Sequence, residues 1–315
     1  MAHSNLPLYR LVDEQLIASF PVAQREYMKD YYYSIYVRYQ KKRKKRALSV
    51  EEFFSNMRRR KVKIIQICCP YCGKIVSIIT EGNLANTIGK FNYCFNCGKP
   101  SVTAKVSRRY DRLARIILVH SAGKAALAEL NEPPISDLEL YTYDVMQLEL
   151  VEIEATFETL LREIYNTFLF IKYKNVKEKF LDTLIRKDIA NDFLNIDKAN
   201  THFKKALGIN LKAELDTNDW NDLLDLVQLR NTIIHNDGQA DEKFRSSNTF
   251  NRVQHMMRGD LIVVSESDVK KYMDAIFKVF DFLDRKLSEE FEQNAPMLIA
   301  NSIFNANDDA LVFSK

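Results

Sequence analysis

The sequence predicts a mainly α-helical protein, with a C-terminal helical bundle preceded by a small cysteine-bearing β domain and an N-terminal basic helical segment. Three observations carry this prediction. Apolar residues recur at helical spacing over most of the chain, short β-type runs fall almost entirely within one cysteine-bearing stretch, and charge is split unevenly along the sequence. Residues 1–135 carry 24 Lys and Arg against 10 Asp and Glu, and residues 136–315 carry 22 against 32, so the parts are +14 and −10. A basic front of this kind suits a polyanionic partner.

With 315 residues and 46% hydrophobic content, the chain can bury a sizeable core and build two or three domains. No window approaches the roughly eighteen apolar residues of a membrane span, and "MAHSNLPLYR" lacks the apolar core of a secretory signal, so a cytoplasmic protein without a membrane partner is expected.

The first element is a basic helical segment, residues 1–61, broken early by Pro21, with Ser49 and Glu52 spaced as a capping box for a short second helix. Residues 62–107 read as a small β domain, because "VKIIQI", "KIVSII" and "SVTAKV" are punctuated by "CPYCG", "EGN" and "CFNCGKP". Helical periodicity returns at 108–130, broken by Gly123, and forms with "NEPPISD" a connector and linker over 108–135. Two consecutive prolines cannot continue a helix, which places the main boundary there.

Residues 136–290 read as a bundle of four or five helices, opened by Ser136 and Glu139 as a capping box. Its helices are expected at 138–173 (one long helix or two), 175–194, 200–207, 218–235 and 266–290, the last opened by "SESD". The one β-type candidate is "DLIVVS" at 260–265, and a loop of about twenty-five residues follows Gly238. Residues 291–315 form a tail with little signal.

All five cysteines, at 68, 69, 72, 94 and 97, lie in one short stretch, the distribution of a local site and not of a disulfide framework. Cys69-x-x-Cys72 and Cys94-x-x-Cys97 are separated by 21 residues, and each pair is followed by Gly-Lys. Two such knuckles supply four thiolates to one tetrahedral Zn²⁺ at about 2.3 Å, with the glycine taking the positive backbone angles of the turn. The segment resembles a zinc ribbon. With four sulfur ligands no open position is left for water, so the expected metal is structural, replacing a core too small to stand alone. Cys68 is the spare thiol.

Lys41, Lys42, Arg43, Lys44, Lys45 and Arg46 are six consecutive basic residues, reinforced by Arg58, Arg59 and Arg60. A phosphate backbone suits them, since each neutralised phosphate releases a condensed counterion, although a solvated helix end has the same composition. Tyr32, Tyr36 and Tyr39 share a helical face just upstream, either as a packed stripe or as a platform for bases.

"LRNTIIHNDG", residues 229–238, places Arg230, Asn231 and His235 in an otherwise apolar helical run. Asn231 and His235, four apart, project from one face, and Arg230 lies about 140° around the helix from His235. A guanidinium in such a helix needs an anion or a partner.

An Arg-x-x-x-x-His motif with Asn directly after the Arg and Gly soon after the His, late in a helical bundle, resembles the HEPN superfamily. The resemblance covers about 136–290. Many members are metal-independent endoribonucleases of toxin, antiphage and CRISPR-associated systems, in which two protomers line one cleft with their motifs. It implies RNA as substrate, a homodimer, and an antitoxin or trigger protein as a further partner. It also implies roles: Arg230 holds the scissile phosphate, His235 moves a proton at the 2′-hydroxyl or leaving oxygen, and Asn231 orients the site. The supporting acid on the first bundle helix stays open among Glu149, Glu152, Glu154, Glu158 and Glu163. Two alternatives are a noncatalytic RNA- or nucleotide-binding scaffold and a DNA-binding regulator whose specificity sits in the ribbon.

The cysteine spacing generates a direct test. Elemental analysis of freshly purified, reduced protein is expected to give one zinc per chain, and less than half an equivalent contradicts the Cys69, Cys72, Cys94 and Cys97 assignment.

Overall fold

A computed structural model describes residues 9–68, 75–81, 98, 102–129, 138–173 and 192–305. The protein is mainly helical with a small antiparallel sheet. It divides into two compact units, one of Met1–Ala104, Thr167–Asp182 and Lys286–Lys315, the other of Lys105–Asn166 and Thr183–Arg285.

In the first unit, β1 (Tyr9–Val12), β2 (Lys63–Cys68) and β3 (Ile75–Thr80) pair antiparallel in that order, with Val12 opposite Ile64 and Cys68 opposite Ile75. Every residue of β3 is buried, and Ile64, Ile65, Ile78 and Ile79 are at most 1% exposed. The central polar residues of this apolar sheet satisfy one another: buried Gln66 accepts from the Tyr32 hydroxyl at 3.0 Å and donates to Ser77 Oγ at 3.2 Å.

Helix α1 (Glu14–Ser19) is capped by Asp13, and α2 (Val22–Lys42) starts after Pro21, where proline's missing N–H costs no helical bond. Ser49 and Glu52 form the expected reciprocal cap of α3 (Val50–Arg58). Tyr36 stacks on Phe53 at 4.7 Å, and Tyr32, Tyr36 and Tyr39 are at most 5% exposed. The three tyrosines are therefore a packed stripe, closed to bases.

Two local expectations are corrected. Tyr9–Val12 is a strand within a segment expected to be helical, because β2 offers a backbone ladder that outweighs a four-residue local preference. "SVTAKV" is not a strand: α4 runs Val102–Ala128 without a break at Gly123. The helical period downstream extends through the β-branched residues, and a solvent-facing glycine weakens a helix without ending it.

α5 is one helix (Leu138–Tyr173), in the second unit as far as Asn166, and its Met146, Leu150, Phe157 and Leu161 are buried at helical spacing. A 3₁₀ turn (Asp192–Leu194) leads into α6 (Ile196–Leu207), capped by Asn195 and closed by left-handed Gly208. After the short α7 (Leu211–Glu214) comes α8 (Thr217–Asn236), whose Leu223, Leu226 and Leu229 are fully buried, each stabilising by about 1.5–3 kcal/mol. Trp220, 2% exposed, packs at its start.

The expected long loop after Gly238 is structured: α9 (Glu242–Arg245) and α10 (Asn248–Arg252) are capped by Asp241 and Ser247, and β4 (Met257–Arg258) pairs with β5 (Leu261–Ile262). Their short side-chain caps are Asp and Ser residues that read as loop formers in sequence. α11 (Glu266–Asn305) opens on a reciprocal Ser265–Asp268 cap and continues past the expected end at 290. Residues 131–137 of the linker and 174–191 lie outside the described residues. Among the described residues, no helix is long and apolar enough to cross a membrane.

Candidate functional site

Helix α8 is built to present its last turns. At its N-terminus the Asp216 carboxylate accepts from Asp219 N–H at 2.8 Å, and that bond holds the Asp216 carboxyl below its usual pKa. Three carboxylates spaced along the helix are each paired: Asp219 with Lys278 at 2.6 Å, Asp222 with Lys271 at 2.7 Å, and Asp225 with Arg252. At the C-terminus Asp237 takes a left-handed conformation (φ 53°) and Gly238 follows at φ 73°. Gly238 N–H donates to Thr232 O at 3.3 Å, closing the helix.

Gly238 is favoured by its backbone conformation and by a close neighbour. Its φ is positive, and a Cβ there would sit 3.2 Å from Gln147 Nε2. Gln147 on α5 in turn donates to Ile262 O at 2.6 Å, and Ile262 N–H donates to Gly238 O at 2.9 Å. Two turns further along α5, Glu154 lies 3.2 Å from Arg230 Nε. Gln147 meets position 238 and Glu154 meets position 230, so the two helices run antiparallel, with the motif between their contacts.

Of the five candidate acids on α5, Glu154 is the one the structure places against Arg230. Glu154 is 1% exposed, whereas Glu152 pairs with Arg112 at 3.0 Å and Glu158 with Arg162 at 3.5 Å. Glu149 is also buried, in a different cleft with Ile116 and Met273, and Glu163 is only partly exposed. The carboxylate and Arg230 Nε are close in distance but not aligned as a hydrogen bond, and both atoms are buried. Burial therefore outweighs the guanidinium, and with Glu158 adding repulsion the Glu154 carboxyl is raised to about 7. Sequence carried a usable signal: position 154 is in phase with Leu150, Phe157 and Leu161, so an acid there falls on the buried stripe.

Arg230, with 22% of its side chain exposed, donates through Nη1 to Asn231 Oδ1 at 3.0 Å. The long side chain thus bends around α8 to the side of Asn231 and takes up its carbonyl oxygen. His235 lies one turn on from Asn231, about 6 Å along the axis, and is exposed. Arg230, Asn231 and Glu154 are brought into contact, and His235 shares the Asn231 face without a direct bond to either.

Among the basic residues of the first unit, Lys41, Lys42, Arg43, Lys44, Lys45 and Arg46 are all exposed at the C-terminal end of α2, with Arg43 paired to Glu81 at 2.9 Å. Arg58, Arg59 and Arg60 are exposed at the end of α3, with Arg58 3.0 Å from Glu14. Both groups complement the negative end of a helix dipole, and left-handed Lys44 and Arg60 terminate the helices. Cys69, Cys72, Cys94 and Cys97 lie outside the described residues. One described neighbour fits a knuckle: Gly98, just after Cys97, has φ 69°. Among the described residues no group of three or more His, Cys, Asp or Glu is arranged to hold a metal.

Comparison with known protein families, curated proteins and solved structures finds no match to this chain.

The raised Glu154 pKa has a definite sign. Between 4.5, its ordinary value, and about 7 the folded state binds more protons than the unfolded state, so stability falls as pH rises through that window. Glu154→Gln, neutral throughout, is expected to match the wild type below pH 4.5 and to exceed it above pH 7 by up to about 3 kcal/mol in chemical denaturation. Parallel stability–pH curves contradict the assignment.

Proposed function

We propose that the second unit is a metal-independent endoribonuclease of HEPN type, active as a homodimer whose two motifs share one cleft. The observation that carries this reading is the meeting of Arg230, Asn231 and buried Glu154 at the end of α8, one turn from an exposed His235. In the reaction, His235 takes the proton of the ribose 2′-hydroxyl and the 2′-oxygen attacks phosphorus. The bond to the 5′-oxygen breaks, leaving a 2′,3′-cyclic phosphate, and the departing oxygen takes a proton from the second protomer's His235. Arg230 holds the phosphate through two nitrogens as negative charge develops. A histidine suits the transfer because it titrates near neutrality. The exposed basic residues of the first unit supply sequence-independent affinity for the strand, and a zinc ribbon held by Cys69, Cys72, Cys94 and Cys97 completes that unit.

One observation favours a noncatalytic scaffold instead: Arg230 already has a carboxylate and an amide as partners. A phosphate must then compete with Glu154, which it does most readily when that carboxyl is protonated.

RNA cleavage decides between the two. His235→Ala and Arg230→Ala are each expected to cut mixed cellular RNA roughly 10² to 10⁴-fold more slowly, with the His235→Ala melting temperature unchanged because the side chain is exposed. Arg230→Lys is expected to fail as well, since an ammonium lacks the planar fork. Light scattering is expected to give a dimer. His235→Ala protein that cuts at the wild-type rate contradicts the catalytic reading, and variants that fall apart to monomers favour the scaffold.

A further inference from the structure

A cavity of about 270 Å³ with polar groups over a mostly apolar lining opens in the second unit, lined by Ile196, Asn221, Leu224, Gln228, Asn248 and Arg252 among others. Its placement follows from helical geometry. Asn221, Leu224, Gln228, Asn231 and His235 are spaced 3, 4, 3 and 4 apart on α8, so they form one stripe. Gln228 lies about 4.5 Å along the axis from Asn231 and about 10 Å from His235. The cavity is therefore in line with the motif, and about one nucleotide from it.

Its chemistry selects against charge. Arg252 Nε sits 3.1 and 3.0 Å from the two carboxylate oxygens of fully buried Asp225, so the one cation in the lining is already neutralised. A phosphate meets no uncompensated charge there. The side-chain amides of Asn221, Gln228 and Asn248 have no hydrogen-bond partner among the described residues. Each offers an adjacent donor and acceptor over an apolar floor that includes Ile196 and Leu224. That pattern complements the edge of a flat, neutral heterocycle, and a carboxamide pairs in two-point fashion with adenine N6 and N7. The walls are fixed: Thr249 is buried, and the Asn195 and Ser247 side chains cap α6 and α10.

We infer that this cavity is a nucleobase subsite that selects adenine. Only its placement next to a scissile phosphate rests on the ribonuclease reading; base binding does not.

The test uses the full chain carrying His235→Ala, which does not line the cavity, so that RNA is not consumed. Equilibrium binding of the four nucleoside 5′-monophosphates is compared with that of ribose 5-phosphate, which has no base. AMP is expected to bind first among the four and at least about tenfold more tightly than ribose 5-phosphate. Adding Asn221→Leu with Gln228→Leu is expected to remove that advantage. Gln228→Glu, which keeps the volume and removes an amide donor, is a second variant that guards against misfolding of the first. Short oligoribonucleotides with one adenosine or one abasic position distinguish a base in a strand, for which the adenosine oligomer binds more tightly than AMP, from a free nucleotide, for which AMP binds equally well. AMP no tighter than ribose 5-phosphate or the other monophosphates, or an advantage surviving in both variants, overturns the subsite. Wild-type protein that prefers AMP but cuts no RNA would instead sink the ribonuclease reading and leave the subsite standing.

Discussion

A carboxyl that is 1% exposed faces a guanidinium across two helices, and the placement of the Arg230 side chain depends on that contact. Removing water from Glu154 costs more than Arg230 alone returns, as the raised pKa records. The contact is held by what surrounds it. Gln147, two turns away on α5, fixes the end of α8 through Gly238 and Ile262, while the apolar faces of both helices set their separation. Once these are in place Arg230 has little choice of direction, and it turns toward Asn231.

The same helix does three jobs, two of them on interleaved stripes of its buried side. Leu223, Leu226 and Leu229 anchor it in the core. Asp219, Asp222 and Asp225 fasten it to Lys278 and Lys271 of α11 and to Arg252 of α10. The stripe from Asn221 to His235 is the more exposed side of the helix. Rigid support of this kind suits the proposed proton-transfer role of His235, because small displacements of such groups are costly. The Asp225–Arg252 pair serves both ends of the arrangement, fastening α8 and neutralising the neighbouring cavity.

Much of this was legible in the sequence where a local rule governs. The capping box at Ser49 and Glu52, the break at Pro21 and the opening of α11 at Ser265 each follow from residues a few positions apart. The common face of Asn231 and His235 followed from spacing alone. What was not legible depends on distant partners. Glu154 is one of five candidate acids until α8 is laid against α5, and Gln147 has no motif at all. β1 exists because β2 is there to pair with it. The segment after Gly238 reads as loop because its helices are four or five residues long and begin on polar caps. "SVTAKV" misleads because β-branched residues tolerate a helix when the longer period demands one.

The most direct test of the arrangement is a double-mutant cycle of Arg230→Met and Glu154→Leu, read as unfolding free energy at pH 8 and at pH 5. At pH 8 Glu154 is ionised, so Arg230→Met leaves a buried carboxylate without its cation, and a coupling of about 2 kcal/mol or more is expected. At pH 5 the carboxyl is protonated and the coupling is expected to shrink toward zero. Additive losses at pH 8, or a coupling of the same size at both pH values, would contradict the account.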